Sequence, residues 1–277
     1  MKKGWFYILI TAAAFTTLEP VSKLISAQIN PLSITFIRFF IGGVILLPFS
    51  ARNMARKNLK PSGKVFLTLT LLGVLCICVS MVLLQYAVMI ADSPALIAII
   101  FSSNSVFTLL FAAWFLGDKF TPAKRAAIAL CSAGVLLCAD FSSGSNLLSV
   151  ALAVLSALTF SLYTVLSKKY MTTLTGVIQT GFSFFIGSIV LLCVLLAAGI
   201  PPAGGLNADN LRHLLYLGVV VTGVGYWAYF KGMEQTSAMA ASLVFFIKPI
   251  LTPFAAFLIN GIVPNGKVFA ALVLVFA

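Results

Sequence analysis

Phe39-Phe40-Ile41-Gly42-Gly43 lies in the apolar stretch 33–50, and it returns 145 residues later as Phe184-Phe185-Ile186-Gly187-Ser188 in the stretch 176–199. The same offset pairs Phe15 with Phe160, Ser22 with Ser167, Lys23 with Lys168, and Gly73-Val74 with Gly218-Val219. With one residue of slippage, Thr108 meets Thr252 and Gly117 meets Gly261. Single matches among Leu, Val and Phe carry little weight in so apolar a chain. A five-residue near-match in register with the others marks an internal duplication.

Around this repeat the chain divides into ten apolar segments: 4–26, 33–50, 64–90, 94–116, 123–140, 147–170, 176–199, 211–234, 238–259 and from 267 onward. Turn residues separate them, among them Asn30-Pro31, Lys60-Pro61-Ser62-Gly63, Gly204-Gly205 and Pro264-Asn265-Gly266. About 20 apolar residues cross a bilayer as a helix. The last segment has only eleven residues, so it reads as a truncated tenth helix. Of the 277 residues, 61% are hydrophobic and 9% charged, against roughly 45–50% and 25% in soluble domains. That balance excludes a soluble enzyme, a disordered chain and a single-span receptor with a folded ectodomain. The expected fold is all-α and polytopic: ten transmembrane helices in two five-helix repeats, 1–140 and 141–277, forming one integrated membrane domain.

Five helices is an odd number, so the second repeat enters the membrane from the opposite side. Inverted repeats of this kind are typical of secondary transporters, whose site lies near midplane where the repeats meet. Basic residues set the orientation. With the N-terminus cytoplasmic, thirteen of the eighteen Lys and Arg fall inside, Arg212 and Lys267 outside, and Lys23, Arg38 and Lys248 within spans. The net charge of +12 therefore describes cytoplasmic loops and not a nucleic-acid partner. Met1-Lys2-Lys3 ahead of an apolar run resembles a signal peptide with a cut after Ala27. Glu19 inside that run and the repetition of the run argue against cleavage.

Five cysteines all lie in apolar runs and read as small buried hydrophobes. The single histidine, His213, sits at the edge of a segment, and no metal-ligand cluster or cofactor motif is present. There is no phosphate-cradling glycine loop for ATP drive. No nucleophile stands beside a base, so no enzyme is expected.

The sequence resembles the drug/metabolite transporter superfamily, specifically its EamA-type ten-helix exporters. The matching pieces are Glu19-Pro20-Val21-Ser22-Lys23, Ile37-Arg38-Phe39-Phe40-Ile41-Gly42-Gly43, Gln85-Tyr86-Ala87 and Phe115-Leu116-Gly117-Asp118-Lys119. The resemblance spans the whole chain. It implies a central cavity lined by helices one to four and six to nine, with five and ten peripheral. It is uninformative about substrate, since such proteins carry amino acids, nucleotide sugars, sugar phosphates and other metabolites. The acidic residue usual after the ninth helix, present as Asp118 in the first half, is Ile262 here.

Charged groups inside a bilayer are costly and usually face a cavity or one another. Glu19 is deep in helix one, with Lys23 at i+4 available as a local partner. Pro20 lacks an N–H and frees the carbonyl of Thr16. Glu19 is either half of a structural salt bridge or a carboxylate for a cationic group or a coupling proton. Lys23 can also snorkel to the interface. Arg38 pairs with Glu19 or with lipid phosphate, or lines the site. Lys248 lies midway along helix nine, about 15 Å from either end, flanked by Pro249 and Pro253. It lines the cavity or pairs with Glu19. Its counterpart in the repeat is the polar run Ser102-Ser103-Asn104-Ser105. Ser103, Asn104, Tyr163, Tyr226 and Trp227 complete the expected substrate or coupling site. The expected activity is secondary transport, with export of a small polar or amphipathic, amino-acid-like metabolite. The rival expectations are a cation or multidrug exporter using Glu19, and a non-transporting receptor or scramblase. The partners are a small-molecule substrate, the lipid bilayer, and a coupling proton or exchanged solute. The protein is a monomer or homodimer of the cell membrane.

Overall fold

The computed structural model describes residues 2–59, 62–117, 144–171, 174–242 and 244–263, with isolated positions 122, 126, 266 and 273. The expected fifth helix, the tenth helix, and with them Asp118, Cys131, Cys138 and Lys267 lie outside the described residues. Among those described there are helices and connections and no strands.

The elements are α1 (Lys2–Thr16), α2 (Leu18–Ile25), α3 (Pro31–Arg56), α4 (Gly63–Gly73), α5 (Val82–Ile90), α6 (Pro94–Phe101), α7 (Asn104–Leu116), α8 (Gly144–Tyr170), α9 (Gly176–Ala197), α10 (Ala208–Tyr216), α11 (Tyr226–Gln235), α12 (Ala238–Ser242) and α13 (Val244–Asn260). Two π-helical segments, Val74–Met81 and Leu217–Gly225, join α4 to α5 and α10 to α11. Among the described residues, seven continuous or nearly continuous helices are long and apolar enough to cross a membrane: Gly4–Ile25, Pro31–Arg56, Gly63–Ile90, Pro94–Leu116, Leu147–Tyr170, Gly176–Ala197 and Ala208–Gln235. Each falls on an apolar segment expected from the sequence. The ninth segment is occupied by α12 and the apolar α13.

The helix ends follow local chemistry. Asn30 accepts the N–H of Leu32 at 2.9 Å, with Pro31 as the first residue of α3. Asn207 and Asn210 cap each other's backbone N–H at 2.9 Å and start α10. Gly117 and Gly261, at φ +75° and +67°, end α7 and α13 in the left-handed conformation.

Apolar side chains cover the outside: Phe6, Leu9, Phe66, Leu71, Leu196 and Phe254 are all exposed. Hydroxyls and amides are inside. Ser80 and Ser156 exchange bonds with each other's carbonyls at 3.0 and 2.7 Å, and Ser50 donates to the carbonyl of Val177 at 2.7 Å. An apolar exterior around an interior whose polar side chains bond one another suits lipid as the surrounding solvent. Close approaches are made at glycine. A Cβ on Gly187 would stand 2.8 Å from the backbone of Gly73, and one on Gly42 would meet Thr222 at the same distance. Phe39 meets Phe184 edge-on at 4.8 Å, and Phe40 meets Phe185 at 6.0 Å.

Candidate functional site

Helix breaks lie at the polar positions noted in the sequence. The first span stops at Thr16 and resumes at Leu18, so Pro20 falls in the first turn of α2. The carbonyl of Thr16, which Pro20 leaves without an N–H, lies 3.4 Å from the hydroxyl of Thr252, as the longer arm of a hydrogen bond shared with a carbonyl of α13. The fourth span breaks between Phe101 and Asn104, with Ser102 and Ser103 in a turn. Partners from distant elements reach the polar backbone here. Ser161 of α8 donates to the carbonyl of Asn104 at 2.6 Å, and Ser105 donates to the carbonyl of Ser242 at 2.9 Å.

Between these breaks Lys248 of α13 forms an ion pair and hydrogen bond with Oε1 of Glu19 on α2. Both are buried, at 1% and 0% exposure. The Lys248 ammonium also stands 5.4 Å from the centroid of the Phe101 ring, a cation–π distance. Thr252, one turn along α13, donates to the carbonyl of Lys248 at 2.9 Å. The second carboxylate oxygen of Glu19 has no partner among the described residues. Neither do the hydroxyls of Ser103, Thr108 and Tyr163, the amide of Asn104, or Nε2 of Gln85, all buried. Buried polar groups are nearly always satisfied by protein or water. The free oxygen of the buried pair and the orphaned groups of Ser103 and Asn104 at the break of the fourth span are therefore places where water or a polar solute completes the bonding.

Two expected partnerships are absent. Lys23 does not turn back on Glu19. Its ammonium donates to the carbonyls of Val88, Met89 and Ala91 at 3.3, 3.0 and 2.5 Å, where α5 leaves its last acceptors unused. Arg38 is 1% exposed, so it does not reach a lipid phosphate, and it makes no ion pair with Glu19. Lys248 already occupies one oxygen of that carboxylate. Arg38 stacks on the Phe39 ring with Cζ 4.8 Å from the centroid.

A buried set of rings connects these groups. Phe39 touches Tyr226 at 5.7 Å, Tyr226 touches Phe15 at 4.9 Å, Phe15 touches Phe245 at 6.0 Å, and Phe245 touches Phe101 at 5.6 Å. Tyr163 and Tyr226 belong to this set through Phe160. Trp227 does not: it packs edge-on against Tyr7 at 5.4 Å and lines an outward groove with Phe49 and Val224. Phe101 and Thr252 are not among the site residues expected from the sequence. Thr252 was legible as the residue one turn from Lys248. Phe101 was one of 24 phenylalanines, with nothing local to distinguish it.

The fold, an integral membrane bundle with a buried charged site at its helix breaks, is that of a membrane transporter. The model of the EamA-like transporter family matches residues 2–139 and again 147–277. The chain belongs to the EamA-like transporter family, and it is an integral protein of the cell membrane. It is 35% identical over 270 residues to an uncharacterised transporter of Clostridium kluyveri, covering 94% of this chain and 86% of that one. It is 21% identical to a protein of Rickettsia felis named S-adenosylmethionine uptake transporter, over 98% of this chain and 88% of the other. A solved crystal structure with 18% identity superposes with a TM-score of 0.73, covering 100% of this chain and 94% of that one.

Proposed function

We propose that the chain is a secondary transporter and not an enzyme, and that it exports a small polar or amphipathic, amino-acid-like metabolite by alternating access. The observation that carries this reading is the buried Glu19–Lys248 pair, set beside unsatisfied polar groups at helix breaks. A solute ammonium would take the place of Lys248 at Glu19, and a solute carboxylate the place of Glu19 at Lys248. Two charge-assisted hydrogen bonds then replace one ion pair. Neither charge is left alone in low dielectric. A proton on Glu19 would release Lys248, whose ammonium then needs the solute carboxylate, and that proton is the coupling ion of this scheme.

Alternating access needs two halves that can exchange roles, and we infer two inverted five-helix repeats, 1–140 and 141–277. Equivalent residues that touch each other support this. Phe39 meets Phe184, and Phe40 meets Phe185, as residues on a two-fold axis do. Lys168 donates to the carbonyl of Met233 at 2.8 Å, the counterpart, residue for residue, of Lys23 on Val88. The two halves of the family match begin at the same offset, and the two π-helical segments lie within two residues of it.

Counterflow in proteoliposomes tests the reading. Glu19→Gln and Lys248→Ala are each expected to abolish saturable amino-acid transport while the protein still inserts. Full transport by Glu19→Gln, with and without a pH gradient, overturns both the clamp and the coupling role. Uptake is the second reading, favoured by the name of the rickettsial relative, and the direction of gradient-driven flux decides between the two.

A further inference from the structure

The charges buried with the ion pair do not balance. The buried ring set joins Arg38, stacked on Phe39, to Lys248, stacked on Phe101, through Tyr226, Phe15 and Phe245. Glu19 and Lys248 neutralise each other, which leaves one guanidinium. Arg38 is 1% exposed, its Nε has no hydrogen-bond partner, and among the described residues no carboxylate stands within ion-pair distance of it. One ring face offsets only part of the desolvation of a guanidinium. Nor can Arg38 borrow a phosphate from the headgroups. It lies seven residues into α3, about 10 Å along the axis, and it is enclosed by protein. A buried, uncompensated cation inside a transport site implies an anion that arrives with the solute.

We propose that Arg38 is the anion-binding residue of the transport site, and that the solute is a carboxylate with one net negative charge and an apolar body. This rests on the transporter reading above and changes its binding mode: the solute carboxylate goes to Arg38, the Glu19–Lys248 pair stays closed, and no solute ammonium is needed. The stoichiometry selects the class. A phosphate brings a charge of about −1.5 to −2 and would overshoot, a free zwitterion would leave the excess of one in place, and a cation would double it. A carboxylate presents two coplanar oxygens to the guanidinium fork. The ring set between Arg38 and Lys248 offers aromatic surface to the rest of such a molecule. Acylated amino acids and aromatic acids meet these requirements.

The test uses the purified full chain and three probes with one skeleton: N-acetyl-L-phenylalanine (net −1), L-phenylalanine (net 0) and L-phenylalaninamide (net +1). Thermal unfolding of the wild type is expected to move upward most with the acetylated acid, less with the free amino acid and not at all with the amide. Arg38→Gln and Arg38→Met are expected to unfold at or above the wild-type midpoint without probe, since each removes an uncompensated buried charge. Both are expected to lose the shift given by the acid, and acid flux in proteoliposomes is expected to fall about tenfold or more. A lower midpoint in both variants would make Arg38 a structural partner and overturn the proposal. So would a retained acid shift in the variants, equal shifts from acid and amide, or no acid shift in the wild type. If Glu19→Gln and Lys248→Ala abolish transport while Arg38→Gln transports normally, the anion site falls and the transporter reading stands. If all three transport normally, the site itself lies elsewhere.

Discussion

At the scale of single residues, the pair Glu19–Lys248 is both a stabilising contact and a liability. Removing one partner leaves the other charged, buried and alone, which costs about 3–5 kcal/mol. Lys248→Ala is therefore expected to lower the thermal midpoint sharply. Combining Glu19→Gln with Lys248→Met should recover most of the loss, because a neutral pair leaves no isolated charge. A double-mutant cycle on purified protein measures this directly. Lys248→Arg should restore stability better than transport, because a planar fork does not replace a compact ammonium in a tight site. Both charges were visible in the sequence as ionisable groups inside apolar runs. Their pairing was left open there, because Glu19 also had Lys23 one turn away. The unused carbonyls of Val88, Met89 and Ala91 compete for Lys23, and nothing local to helix one reveals them.

At the scale of elements, glycine sets how closely the spans approach. A Cβ on Gly187 would press on the backbone of Gly73, while nothing lies within 4 Å of one on Gly63. Gly187→Ala is expected to destabilise the protein by about 1–3 kcal/mol through overpacking, and Gly63→Ala to be neutral or slightly stabilising. Thermal unfolding in one detergent compares the two. The lysine caps are a second element-scale device. Lys23→Met leaves three carbonyls at the end of one helix, and Lys168→Met one carbonyl at the end of another, without the lysine donor, at about 1–3 kcal/mol per buried group. Hydrogen exchange is expected to speed up at 86–91 in the first variant and at 231–235 in the second, with the other end unchanged in each. Equal acceleration at both ends would show a global effect and not a local cap.

At the scale of the whole molecule, the side on which each loop lies follows from charge and connectivity. The turn after α2 and the loop before α10 share one face: Asn210 donates to Oε1 of Gln28 at 3.0 Å, and Ser33 donates to the carbonyl of Pro201 at 3.3 Å. The basic loop near Lys57 is one span away. In a cysteine-free background, Lys57→Cys is expected to react with an impermeant maleimide only from the cytoplasmic side, and Ala203→Cys only from outside. Labelling of both from outside in sealed cells would sink the inverted-repeat topology.

The sequence by itself determined the solvent and the positions of the described spans. Each depends on composition and on distance along a helix, which are local quantities. Helix ends were legible for the same reason: Asn30, Gly117 and Gly261 act on their own backbone. The tertiary structure alone decided which charges meet. Lys248 found Glu19 across 229 residues of chain, and Arg38 was left facing a ring. Partnership depends on which acceptors a neighbouring span leaves free. It also placed Trp227 on the outer face with Tyr7 while Tyr226, its neighbour in sequence, points to the centre. Adjacent residues on a helix lie about 100° apart, and only packing against other spans decides which of the two faces inward.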